Sequence, residues 1–112
     1  MLGHVEDLTL ITVNGKPALR YFGGLPYALP PIGPYRFRTP RKLLQYYTYG
    51  TLSCPGRFTG AAGVCHQPKK RNPPDQSLLT KDCLQLNIWI PTGEVPDGGW
   101  PVLFYIHGGY LQ

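Results

Sequence analysis

Residues 101–112 read PVLFYIHGGYLQ: an unbroken apolar and aromatic run from Val102 to Ile106, then His107 and the glycine pair Gly108 and Gly109. Unbroken apolarity predicts a strand over 101–109 buried on both faces, as at the centre of a parallel sheet flanked by helices. Glycines placed after such a strand leave backbone N–H groups free to point at a substrate oxygen as negative charge develops on it, the arrangement of an oxyanion hole. A glycine pair also simply ends strands, so the meaning of this turn depends on the rest of the chain.

Upstream, Leu84, Leu86, Ile88 and Ile90 alternate along CLQLNIWIP (83–91) and predict a second strand. The Pro, Asp and Gly residues of TGEVPDGGW (92–100) mark the turn between the two. Near the other end, DLTLITVNGKPALRY (7–21) alternates apolar and polar residues around Asn14 and Gly15. That dipeptide best tolerates the positive φ of a tight turn, which predicts an antiparallel hairpin. In FGGLPYALPPIGPYRFRTP (22–40), Pro26, Pro30, Pro31, Pro34 and Pro40 forbid regular pairing and predict an extended, covering loop. RKLLQYYTYG (41–50) is the one short helical candidate, and residues 51–81 read as a long surface loop. With 14 glycines and 13 prolines there is almost no room for long helices, so the cover that strand 101–109 requires is not supplied here. No internal repeat or linker divides the chain.

A length of 112 residues with 42% hydrophobic and 15% charged residues fits at most one small folded domain rather than a disordered segment. The net charge of +5 is concentrated in RFRTPRK (36–42) and KKR (69–71). Both runs lie among prolines, and no strand alternates basic and aromatic residues, so they read as solvated surface and no nucleic-acid partner is expected. No stretch approaches the length of a membrane helix, and none is expected to span a membrane. MLGHVEDLTLITVNG (1–15) lacks a basic start followed by a long apolar stretch, so no secretory signal is visible.

Taken in order and with their spacing, FGGLPYALPPIGPYRF (22–37), CHQP (65–68), KDCLQLNIWIP (81–91) and PVLFYIHGGYLQ (101–112) resemble the amino-terminal part of the type B carboxylesterases. These form the cholinesterase and lipase branch of the α/β-hydrolases. The likeness covers nearly the whole chain. It implies that residues 1–112 are a partial carboxylesterase domain: the amino-terminal portion of an α/β-hydrolase fold, mostly strands and long loops with little helix. It further implies, for the full-length relative, a serine hydrolase of small-molecule carboxylic esters that uses no cofactor and is often secreted. Its catalytic Ser, Glu or Asp, and His all follow the oxyanion loop. Carried over residue by residue, His107 and Gly108 shape that loop while Gly109 and Tyr110 lend it backbone N–H donors. The candidate oxyanion residues are thus Gly108, Gly109 and Tyr110, and many relatives have a third glycine where this chain has Tyr110.

Cys65 and Cys83 match the family's first disulfide; two reduced cysteines are the alternative. The set Cys65, His66 and Cys83 lacks the spacing of a four-ligand metal site, and no metal is expected. Cys54 has no obvious partner. Relatives have an acid where Lys81 stands, paired with the arginine matched here by Arg36. Two cations would then face each other, which costs free energy near a low-dielectric core; with Lys81 turned to solvent the pair is simply absent.

No residue matches the nucleophile. Ser53 and Ser77 are the two serines, and neither sits in a G-x-S-x-G elbow. His4 and His66 carry no general-base motif. The expectation is a chain with no catalytic residue of its own, inactive alone and able to self-associate through exposed strands. The competing expectation, a non-catalytic binding module on an esterase-like scaffold, requires the apolar stretch 101–106 to be covered.

Overall fold

Alternation around Asn14 and Gly15 does produce a hairpin. A computed structural model describes residues 3–12, 14–67 and 76–108. In it β2 (Leu8–Ile11) pairs antiparallel with β3 (Pro17–Pro26), Leu8 opposite Tyr21 and Leu10 opposite Leu19, with a register shift before Ile11. Thr12 closes the turn, donating its N–H to the Lys16 carbonyl at 2.8 Å and accepting that of Gly15 at 2.9 Å. Gly15 takes a positive φ of 74°, the left-handed backbone expected of it in the tight turn.

The other edge of β3 pairs antiparallel with β5 (Gln85–Pro91), Arg20 opposite Ile90 and Phe22 opposite Ile88. Tyr21 and Trp89 are register partners, and their rings lie 5.4 Å apart, the cross-strand aromatic contact that stabilises one face of a sheet. The result is a three-stranded sheet in the order β2, β3, β5. Two further strands, β1 (Val5–Glu6) and β4 (Gly56–Arg57), form a short parallel pair. It is reinforced by a Glu6–Arg57 ion pair at 3.2 Å across the register. Helix is limited to two single 3₁₀ turns, Gly33–Tyr35 and Gln76–Leu78, among the described residues.

Midway along β3 the register shifts between Phe22 and Leu25, at Gly23 and Gly24. The chain from Phe58 to Gly60 crosses there: Gly23 N–H donates to the Phe58 carbonyl at 2.8 Å, and a Cβ on Gly23 would collide with the Gly60 carbonyl and the Tyr21 hydroxyl. Gly23→Ala is therefore expected to cost about 1–3 kcal/mol through forced displacement of backbone, read as a lower urea midpoint. Gly98→Ala, where a Cβ meets nothing within 4 Å, should leave the midpoint in place.

Three expectations are corrected. The helical candidate 41–50 is not a helix. Arg41 accepts the Leu29 N–H at 2.9 Å, Lys42 bridges Ala28, and the Tyr49 hydroxyl donates to the Pro26 carbonyl at 2.9 Å. Tyr49 also packs edge-on against Tyr47 and Phe58. Pairing with the proline-rich segment and aromatic contacts outweigh the modest helical preference of RKLLQ. The long loop 51–81 is only partly irregular, since β4 and a parallel bridge between Val64 and Leu79 lie within it.

The third correction is the largest. Residues 101–108 form no strand and pair with nothing in regular structure. Leu103 is 94% exposed, Val102 90%, and Phe104, Tyr105 and Ile106 more than three-quarters exposed. The buried apolar residues among those described are Phe22 and Ala28. The accessible surface of 9515 Å² compares with about 6200 Å² for a compact monomer of this mass. The radius of gyration of 16.4 Å compares with about 13 Å for a compact domain of this length. The sheet is thus half-open: Leu8 and Trp89 are about half exposed on one face, while the other holds the buried Phe22 opposite a partly exposed Ile88.

Candidate functional site

The candidate turn begins at His107, whose Nδ1 lies 3.1 Å from the Gly108 carbonyl oxygen. Both residues are exposed, and nothing lies within 4 Å of the space a Cβ on Gly108 would occupy. An oxyanion hole needs N–H groups held rigidly by packing behind them, and this part of the turn has no such backing. The donors themselves, Gly109 and Tyr110, lie outside the described residues.

No catalytic pairing forms around Ser53. Its Oγ is 3.3 Å from Thr51 Oγ1, in an exposed turn where Thr51 and Cys54 exchange backbone hydrogen bonds. Ser77 is exposed in the second 3₁₀ turn, which precedes no helix. His4 meets the Gly50 carbonyl through its backbone N–H, on the edge of the two-stranded pair. Cys54 is exposed with a free thiol.

Cys65 and Cys83 are bonded, with their Cα atoms 5.1 Å apart. The bridge takes both sulfurs out of the Cys65, His66 and Cys83 set. The segment before Cys65 is also laced to the strand after Cys83. Val64 donates to Leu78 at 2.8 Å and accepts from Thr80 at 2.9 Å, and Gln85 Oε1 accepts the Gly63 N–H at 2.7 Å. Asn87 Oδ1 likewise accepts the Gly24 N–H at 3.1 Å. Gln85 and Asn87 are half-buried polar residues that satisfy backbone groups of crossing loops. Sequence reading saw them only as the polar half of an alternating strand.

Arg20 makes the strongest described ion pair, its Nε 2.9 Å from Asp7 Oδ2. The hydrogen bond and charge of Asp7 raise the pKa of Arg20 further above its ordinary value. Burial, with smaller contributions from Tyr49 and Asp82, raises that of the Tyr47 phenol. Arg36 and Lys81 do not meet in a low-dielectric core: both are exposed and border one shallow depression, so water screens the repulsion expected between them.

What the described residues present is a half-open sheet with a disulfide-stapled loop, followed by an unpaired approach to a glycine turn with no described reactive group beside it. Residues 2–112 match the carboxylesterase family, and the chain belongs to that family. It is 60% identical over 111 residues to a carboxylic ester hydrolase of Gibberella moniliformis, covering 99% of this chain and 20% of that protein. An uncharacterized esterase/lipase of Schizosaccharomyces pombe is 40% identical over 116 residues, covering 99% of this chain and 21% of its own length. A cholinesterase of Mus musculus is 31% identical over 115 residues, covering 98% and 18%. The chain spans about one fifth of the length of the curated relatives it matches.

Proposed function

We propose that residues 1–112 are the amino-terminal part of a carboxylic-ester hydrolase of the α/β-hydrolase fold. In this reading the turn Gly108, Gly109 and Tyr110 holds the oxyanion of a small-molecule ester, and the nucleophile, acid and base come from sequence beyond Gln112. The observation that carries it is the bare apolar run Val102–Ile106, whose side chains are too exposed for a finished surface of a self-contained domain. The same bareness disfavours the self-contained binding module, which needs that run covered.

The test is a chimera in which this chain replaces the matching fifth of the 60% identical fungal relative. The chimera is expected to hydrolyse an activated ester, and the chain alone to stay at background and resist a serine-directed covalent inhibitor. In the chimera, Gly109→Pro deletes one N–H donor and should lower kcat by about 10²–10³. Turnover by the chain alone, or an active chimera indifferent to Gly109→Pro, would contradict the proposal.

A further inference from the structure

All six acidic residues, Glu6, Asp7, Asp75, Asp82, Glu94 and Asp97, lie outside residues 8–74, whereas every lysine and arginine except Lys81 lies inside that range. Glu6 and Asp7 are already engaged by Arg57 and Arg20. The rest of this stretch has no acid of its own to neutralise it.

Part of that excess gathers in one place. Arg36, His66 and Lys81, from three separate segments, border a shallow depression of about 130 Å³ together with Thr80 and Cys83. The Cys65–Cys83 bridge fixes two of those segments, since His66 follows one cysteine and Lys81 lies two residues before the other. The Arg36 guanidinium rests over the Phe37 ring, 5.1 Å from its centre, which occupies its face and leaves its N–H edges open. None of the three basic side chains forms a hydrogen bond or ion pair with a described residue, and no described carboxylate lines the depression. Asp82, next in sequence to Lys81, is not among the residues that border the depression. Thr80 Oγ1 accepts the Asp82 N–H at 3.1 Å, so its own O–H remains available to donate.

We infer that Arg36, His66, Thr80 and Lys81 form a binding site for a tetrahedral oxyanion, namely phosphate, free or as the monoester of a small molecule. Arg36 and Lys81 border the depression with no described carboxylate between them, and a dianion with several acceptor oxygens takes charge-assisted hydrogen bonds from both. The guanidinium edge of Arg36 suits two oxygens at once, Lys81 a third, and the depression has the volume of about four waters, room for one such group. The site does not depend on the catalytic reading of the glycine turn.

The experiment is an NMR titration of the disulfide-bonded chain, following the Arg36 Nε–H and the His66 ring while inorganic phosphate replaces chloride at constant ionic strength. Saturable shifts of both signals are expected in the millimolar range. Lys81→Gln, an exposed change that leaves the fold intact, should weaken the midpoint about tenfold by removing one charged contact. Lys16→Gln, on the distant hairpin, should leave it unchanged. The Tyr21 and Trp89 ring signals report folding in every variant. Glycerol phosphate separates the two sources: a tighter midpoint than inorganic phosphate assigns the site to a phosphate monoester, an equal one to the free ion. Shifts that stay linear with concentration, or a midpoint that Lys81→Gln does not move, overturn the inference.

Discussion

Cys83→Ser is expected to lower the stability of the oxidised chain by about 3 kcal/mol, the cost of releasing a loop of this size from its cross-link. The bridged residues are 18 apart in sequence. Beside the bridge, Val64 donates to Leu78 and accepts from Thr80, backbone bonds that tie together the described ends of that loop. Set against the roughly 5–15 kcal/mol of an ordinary domain, and with Phe22 and Ala28 the buried apolar residues among those described, a loss of that size should unfold a substantial fraction of molecules. Urea unfolding of the oxidised chain beside Cys83→Ser and the Cys65→Ser, Cys83→Ser pair measures it. Coincident midpoints would mean that the hydrogen bonds alone hold the loop. Thiol counting on the folded, oxidised chain should find Cys54 as its one free cysteine, and recovery of all three as thiols would refute the pairing.

The second large effect depends on context. Replacing Leu103 with Asp and Phe104 with Ser in the isolated chain should change stability by no more than about 0.5 kcal/mol, because both side chains are already in water. The same pair should sharply reduce hydrophobic-dye binding and self-association, which draw on the bare apolar run. In the chimera with the fungal relative the pair is expected to be severe. Losing the Phe104 ring from a packed core costs about 3–5 kcal/mol, and burying an unpaired Asp adds to that. Near-silent in one setting and disabling in the other is the signature of a strand built for a sheet that the rest of a longer chain supplies. A pair equally disabling in the isolated chain would instead mean that Val102–Ile106 is already packed there.

Elements set by local alternation were legible in advance. The hairpin flanking Gly15 and the strand through Leu86, Ile88 and Ile90 appear where the period of two put them, because a strand's facing pattern is written into adjacent residues. The Cys65–Cys83 pairing came through the family resemblance, and the structure places the two at bonding distance. The stretch 41–50 could not be read this way. Its extended path is imposed by Leu29, Ala28 and Pro26, all distant enough in sequence that no local propensity carries their influence.

The sequence by itself determined the family, the short strands, and the apolar character of Val102–Ile106 with the glycines that follow. Only tertiary structure decided whether that apolar run becomes a strand. Helices and strands differ in this respect, since a strand's backbone N–H and C=O groups are satisfied only by a neighbouring strand. With no described partner at its edges, residues 101–108 stay outside any strand and bare, and the turn at His107 and Gly108 stays unsupported among the described residues.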